Sequence, residues 1–256
     1  MALENSSKIQ NLLAAWPNGT AHTSVALRKL GYSDFLLYHY RRSGWIQALG
    51  RGAFSKVGDV VDWRGGLYAL QRHLNLSVHL GGKSALAYQG SSHFLVFGKE
   101  IVTLFAAPGT RLPSWFTQHE WGVTVTLTTT NLFPDDTGII TETVGNFSIR
   151  VSSRERAMFE ALHGAPQSQS LSEARLLMGA LTNLRPALVQ RLLERCASIK
   201  VKRLFMVLAE DSRLPWIKKL DLKKVDFGSG DITVVKGGKL HPQYRVTLPK
   251  EFFEER

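Results

Sequence analysis

The stretch that most constrains this chain is residues 8–57, where short helical patterns punctuated by glycine run into two short strands. Ile9, Leu12, Leu13 and Trp16 recur at helical spacing, and Pro17-Asn18-Gly19 stops that helix. Thr23 or Ser24 can cap a second, short helix with Val25, Leu27 and Leu30 as its apolar positions and Gly31 at its end. Ser33 can cap a third. Asp34 suits the positive N-terminal end of that helix, Arg41 and Arg42 suit its negative end, and Gly44 stops it. Trp45 to Leu49 and Ala53 to Val57 then read as strands, joined by Gly50-Arg51-Gly52. A helix-turn-helix followed by a hairpin is a winged helix. In that arrangement the third helix enters the major groove, and an arginine on the wing reaches phosphate or the minor groove.

The third helix sorts by face. Leu36, Leu37 and Tyr40 share one side and point to a core, to which Phe35 is also assigned. Tyr38, His39, Arg41 and Arg42 fall elsewhere, and Ser33 and Asp34 sit at the end that meets a groove. With Arg51 and Lys56 on the hairpin, these eight side chains are the candidate DNA contacts. Charge agrees with such a partner. The 256 residues carry 32 Lys+Arg against 21 Asp+Glu, a net +11, which points to a polyanion and to nucleic acid first. The excess is uneven: +4 over residues 1–65, zero over 66–165 and +7 over 166–256.

A hydrophobic share of 44% supports a full core. No apolar run approaches the ~18–20 residues of a membrane helix, and the first residues lack a secretory pattern, so a cytoplasmic protein without a membrane partner is expected. The lone Cys196 excludes a disulfide framework and reads as a small core residue.

Beyond the hairpin, Trp63 to Leu74 reads as a helix and Val78 to Leu80 as a short strand. A helix over Ser84 to Tyr88 follows Gly81-Gly82, a pair that either cradles a phosphate or makes a tight packing turn. Strands are expected at Phe94 to Phe97, Ile101 to Ala106, Val123 to Thr129, Ile139 to Val144 and Phe147 to Val151. Helices follow over Arg154 to His163, after Ser170 and from Pro186 through residue 203. Strands at Leu204 to Leu208, Ile232 to Val235 and Tyr244 to Leu248 close the chain. Arg191, Arg195, Lys200, Lys202 and Arg203 give the helix from Pro186 a basic face that either binds a partner or is merely solvated.

No enzyme, cofactor or metal is expected. The eight histidines are scattered without ligand spacing, and there is no nucleophile elbow or Walker lysine. Glu210-Asp211, after the expected strand ending at Leu208, is the one pair that a metal-dependent nuclease could use.

Tyr40-Arg41-Arg42-Ser43-Gly44-Trp45-Ile46 running into Gly50-Arg51-Gly52-Ala53-Phe54 resembles the N-terminal domain of AbiEi-type antitoxins of type IV toxin-antitoxin systems. The likeness continues through Leu70-Gln71, His79 to Leu86, Gly90, His93-Phe94 and Leu112 to Trp115. It returns at Leu214-Pro215-Trp216, Asp226 to Gly230 and Val235 to Leu240. The resemblance implies a winged helix that binds the operator of its own operon. It also implies a larger C-terminal domain needed to neutralise a toxin, usually a nucleotidyltransferase encoded next door. The expected fold is therefore α+β. A winged helix over 1–65 precedes a mixed α/β domain over 66–256, which has a β-rich part over 75–151 and a basic part over 152–256. A lone winged helix buries only about 600–1,000 Å² on DNA, so the operator is expected to hold repeated half-sites. They would be met by a dimer or by monomers that join on DNA. A nuclease with a fused DNA-binding domain and an adaptor that binds the toxin directly are the alternatives.

Overall fold

The computed structural model describes residues 2–91 and 99–253, with side chains from residue 8 onward. The first elements follow the local punctuation. Helix α1 (Ala2–Ala15) ends ahead of Pro17, and strand β1 (His22–Thr23) leads into α2 (Ser24–Lys29). The Thr23 hydroxyl caps α2 by accepting the Ala26 N–H. Ser33 caps α3 (Asp34–Arg42) in the same way, its Oγ accepting the Leu36 N–H. Strands β2 (Ile46–Gly50) and β3 (Ala53–Lys56) form the hairpin, and β1 lies on the other edge of β3, giving the order β1-β3-β2. This is a winged helix. Its core draws Ile9, Leu12 and Trp16 from the α1 side, Leu27 from α2, Leu37 and Tyr40 from α3, and Ile46 and Phe54 from the hairpin. Each element places one apolar stripe inward, so removing these side chains from water holds the elements together. Phe35 is the exception to the expected core: it is 73% exposed. Its position one residue inside the N-terminus of α3 turns it away from the Leu37–Tyr40 stripe.

Helix α4 (Trp63–Arg72) is capped by Asp62, whose Oδ1 accepts the Arg64 and Gly65 N–H groups. The boundary expected between residues 65 and 66 therefore falls inside a helix. Gly65 allows α4 to lie directly on the turn after α1. A Cβ there would stand 1.9 Å from the Gly19 carbonyl oxygen, so any larger residue must force the two segments apart.

Strand β4 (His79–Leu80), α5 (Gly82–Tyr88), β5 (Ile101–Ala106), α6 (Ser114–Thr117), β6 (Thr124–Thr129), β7 (Ile139–Val144) and β8 (Phe147–Ser152) follow. The strands take the order β6-β5-β4-β8-β7 in one sheet. β5 and β6 are parallel from Ile101↔Thr124 to Ala106↔Thr129, and β4 pairs parallel with β8 at Leu80↔Val151. The strand expected at Phe94 to Phe97, and His93 beside it, lie outside the described residues.

Helices α7 (Arg154–His163), α8 (Leu171–Gly179), α9 (Pro186–Arg195) and α10 (Ile199–Asp211) complete most of the chain. Two expectations are corrected here. The helix from Pro186 does not run through residue 203 but breaks at Cys196, which is extended, before Ser198 caps α10. Leu204 to Leu208 is not a strand but the middle of α10, buried throughout. A short, wholly apolar run carries neither helical nor strand periodicity, so its surroundings decide. The final strands are also shorter than expected. Only Lys239–Leu240 (β9) and Thr247–Leu248 (β10) pair, with an isolated bridge between Ile232 and Val246.

Contacts divide the described chain into two compact units that interleave in sequence. One comprises residues 2–79, 99–129 and 141–150, and the other 80–91, 130–140 and 151–253. Among the described residues no helix is long and apolar enough to cross a membrane.

Within the first unit, His22 of β1 and His73, at the end of α4, stack with ring centroids 3.9 Å apart. Burial pushes His22 down to about 4, against a hydrogen bond that the ring donates to the Thr23 backbone. Burial, then His22 and Arg72, push His73 down to about 3. The folded protein therefore keeps both rings neutral where the unfolded chain, titrating near 6.5, is protonated. The unfolded state binds the extra protons, so stability is lost as pH falls from about 6.5 towards 4 and 3. His22→Phe should remove one proton from that dependence between pH 7 and 5 in urea titrations. An unchanged slope would place the acid sensitivity elsewhere.

Candidate nucleic-acid interface

Helix α3 presents its outward side as Ser33, Asp34, Phe35, Tyr38, His39, Arg41 and Arg42, all exposed. The aromatic members touch: Phe35 meets His39 edge-on at 4.4 Å, and Tyr38 meets the same imidazole at 5.8 Å. A flat aromatic group flanked by cations suits base edges and sugar, with the guanidinium groups free to reach phosphate. Among the described residues Arg41 and Arg42 have no ion-pair partner. Two of the expected contacts are partly committed. The Ser33 hydroxyl caps the helix, and both Asp34 oxygens accept from Arg28 Nη1 at 3.0 Å. Asp34 thus brings little uncompensated negative charge to the face.

The wing is tighter than its glycine pair suggested. Gly50 pairs with Ala53, with a bulge after Ala48, so only Arg51 and Gly52 form the tip. Gly52 takes φ +92°, which a side chain would resist. The wing also has a brace that local sequence could not reveal. A Cβ on Gly50 would fall 2.9 Å from Trp115 Cβ, and His119 Nδ1 stands 3.3 Å from the Leu49 carbonyl. The segment holding α6 therefore fixes the hairpin from behind, and Arg51 projects from a rigid base with no partner among the described residues. Lys56 is committed in part to the fold. Its ammonium donates to the Trp16 carbonyl at 2.9 Å and to the Asn18 side chain, tying β3 to the end of α1.

A family model described as a transcriptional regulator, the AbiEi antitoxin of type IV TA systems, matches residues 99–249. A second, described as the N-terminal domain of the AbiEi antitoxin regulator, matches residues 5–97. The chain belongs to the AbiEi antitoxin family. The crystal structure of the RV2827C protein from Mycobacterium tuberculosis is similar in fold, with a TM-score of 0.60 and 16% identity over 94% of this chain and 89% of that one. A comparison with curated proteins finds no match.

In this AbiEi family member the C-terminal cations do not form the single face expected of them. Arg191 is exposed on α9. Arg195, also on α9, pairs with Asp135. The other three lie on α10, and their charges turn inward to carbonyl oxygens. Lys200 Nζ donates to His163 and Ala165, and Lys202 Nζ to Asp226. Arg203 Nε donates to Phe227, and its Nη1 to Gly230 and Arg245. Lys202 and Arg203 are buried and hold the last loops of the antitoxin onto α10.

The two other candidates for chemistry resolve in the same way. The Gly82 N–H is taken by Glu160 Oε2 at 3.0 Å, so the chain supplies its own anion where a phosphate was considered. Glu210 and Asp211 end a helix, not a strand; they bind the Tyr244 hydroxyl and the Arg175 guanidinium. Among the described residues no three His, Cys, Asp or Glu side chains gather as metal ligands. Burial pushes the Cys196 thiol up to about 11, against a hydrogen bond to Ser198, so it stays protonated and inert.

Proposed function

We propose that this chain is a cytoplasmic, autoregulating antitoxin. It binds duplex operator DNA through α3 and the wing, and it counters a nucleotidyltransferase-type toxin through the unit that holds α7 to α10. The observation that carries the DNA-binding half is the outward side of α3. Phe35, Tyr38 and His39 form an exposed aromatic group beside Arg41 and Arg42, on a helix whose opposite stripe is locked into the winged-helix core. Membership of a family described as transcriptional regulators supports the same reading.

Arg41, Arg42 and Arg51 contact phosphate in this arrangement, while Phe35, Tyr38 and His39 meet base edges and sugar. Repeated half-sites would let two copies share one operator, since one winged helix covers about 600–1,000 Å². Fluorescence anisotropy of the full chain on its upstream DNA, across salt, is the test. Replacing any one of the three arginines by Gln should weaken binding to every sequence and lower the salt slope by about one unit. Tyr38→Phe or His39→Ala should change sequence preference, by ~1–3 kcal/mol at one position. Lys56→Gln should lower stability and leave the slope alone. Unchanged slopes for all three arginine variants would remove this surface.

A further inference from the structure

A cleft of about 370 Å³ opens in the first unit, lined by His22, Lys29, Tyr68, Arg72, His73 and Asn75 among others. Its size falls within the about 300–1,000 Å³ of small-molecule sites. Its lining is one-sided in chemistry. Lys29 and Arg72 bring two positive charges, and among the described residues no carboxylate lines it. Among the described residues neither cation has an ion-pair partner, although most other arginines of the chain are paired or bonded to carbonyls.

Both imidazoles carry a buried Nδ1 with no hydrogen-bond partner among the described residues. Native proteins leave few such atoms, and each calls for a reason. Here the two occur together, on rings stacked at 3.9 Å, beside two unneutralised cations. Trp16 and Tyr68 hold the pair edge-on at 4.9 and 5.5 Å, so the stack is fixed before any ligand arrives. A group that accepts from N–H and ammonium donors and carries negative charge satisfies all of these features at once.

We propose that this cleft is a binding site for a small free anion of the phosphate class. Lys29 and Arg72 attract it, and the imidazole pair orients it from the cleft wall. The position gives the anion a route to the DNA-binding surface. Lys29 is the last residue of α2, and His22 pairs with Phe54 of the wing strand β3.

The same chemistry could come from a backbone phosphate of bound DNA, and the experiment separates the two. Full-length protein with labelled histidines is titrated by NMR with inorganic phosphate, without DNA, at constant ionic strength against chloride. The His22 and His73 rings should shift together and saturate. Lys29→Gln/Arg72→Gln, both at exposed positions, should weaken that binding by about tenfold or more while leaving the rest of the spectrum in place. Phosphate shifts no larger than those from chloride, or equal binding by the double variant, would overturn the proposal. So would ring shifts that appear only with duplex DNA, which would make the cleft part of the operator contact. The phosphate titration contains no DNA, so its outcome is independent of the DNA-binding reading.

Discussion

Arg156→Met is expected to cost about 3–5 kcal/mol of folding stability, because it strands a buried carboxylate. Glu160 is 2% exposed and sits on α7 one turn after Arg156. Its Oε2 accepts from the Gly82 N–H at 3.0 Å and the Ser152 hydroxyl at 2.8 Å, and its Oε1 from Arg156 Nε at 2.8 Å. Arg156 is equally committed. Its Nη1 donates to the Asp135 and Thr137 carbonyls, and the guanidinium lies 4.7 Å from the Phe133 ring centroid. The pair thus fixes α7 to the N-terminus of α5, the end of β8 and the 133–137 turn. Deleting the cation leaves the buried carboxylate without its guanidinium partner. Arg156→Met/Glu160→Gln should recover part of the loss, since no buried charge then remains. The deficit of the single variant should also shrink at acid pH, where its carboxyl takes up a proton. Urea denaturation at pH 7 and pH 5 measures both effects. A single-variant loss under about 1 kcal/mol, the range of an exposed pair, would show that the pair is solvated in solution.

The second large effect concerns protection against the toxin. With Lys202 and Arg203 buried and Lys200 bound to carbonyls, the accessible remainder of the expected face is Arg191 and Arg195, one turn apart on α9. Arg195 shares its charge with Asp135, and both side chains are about half exposed. Reversing both arginines to Glu should cost about 1 kcal/mol of stability or less, as exposed pairs do. It should nevertheless abolish protection when the toxin is induced, while repression of the promoter survives. Cell growth scored beside a promoter reporter, with protein levels checked, reads both activities. Full protection by the double variant would return these arginines to a solvated helix face and move the search to other surfaces of the same unit.

The winged helix was legible because its signals are local. Thr23 and Ser33 each cap a helix within three residues, Gly31 and Gly44 end helices, and Arg51-Gly52 turns a hairpin. None of those decisions needs a distant partner. The cations were less legible for the opposite reason. Lys56 finds its acceptors 38 to 40 residues away, and Lys202 and Arg203 find theirs 24 to 42 residues away. Charge on a helix says nothing of a carbonyl that arrives from a later loop. Phe35 failed differently: an aromatic residue beside a core stripe looks buried, yet the helix turns it outward. The α10 run from Leu204 to Leu208 had no period to read, and a capped helix packed on all sides absorbed it.

The threading of the chain bears on how its parts can be inherited. It passes between the two compact units five times, so neither is a contiguous piece of the gene. No single breakpoint parts the two units cleanly, although a break just after residue 79 carries α1 to α4 and the wing across as one piece. A winged helix exchanged at such a break must still fit the segments 99–129 and 141–150 that complete its unit. The wing and the later segment that braces it through Trp115 and His119 should accordingly change together from one relative to the next.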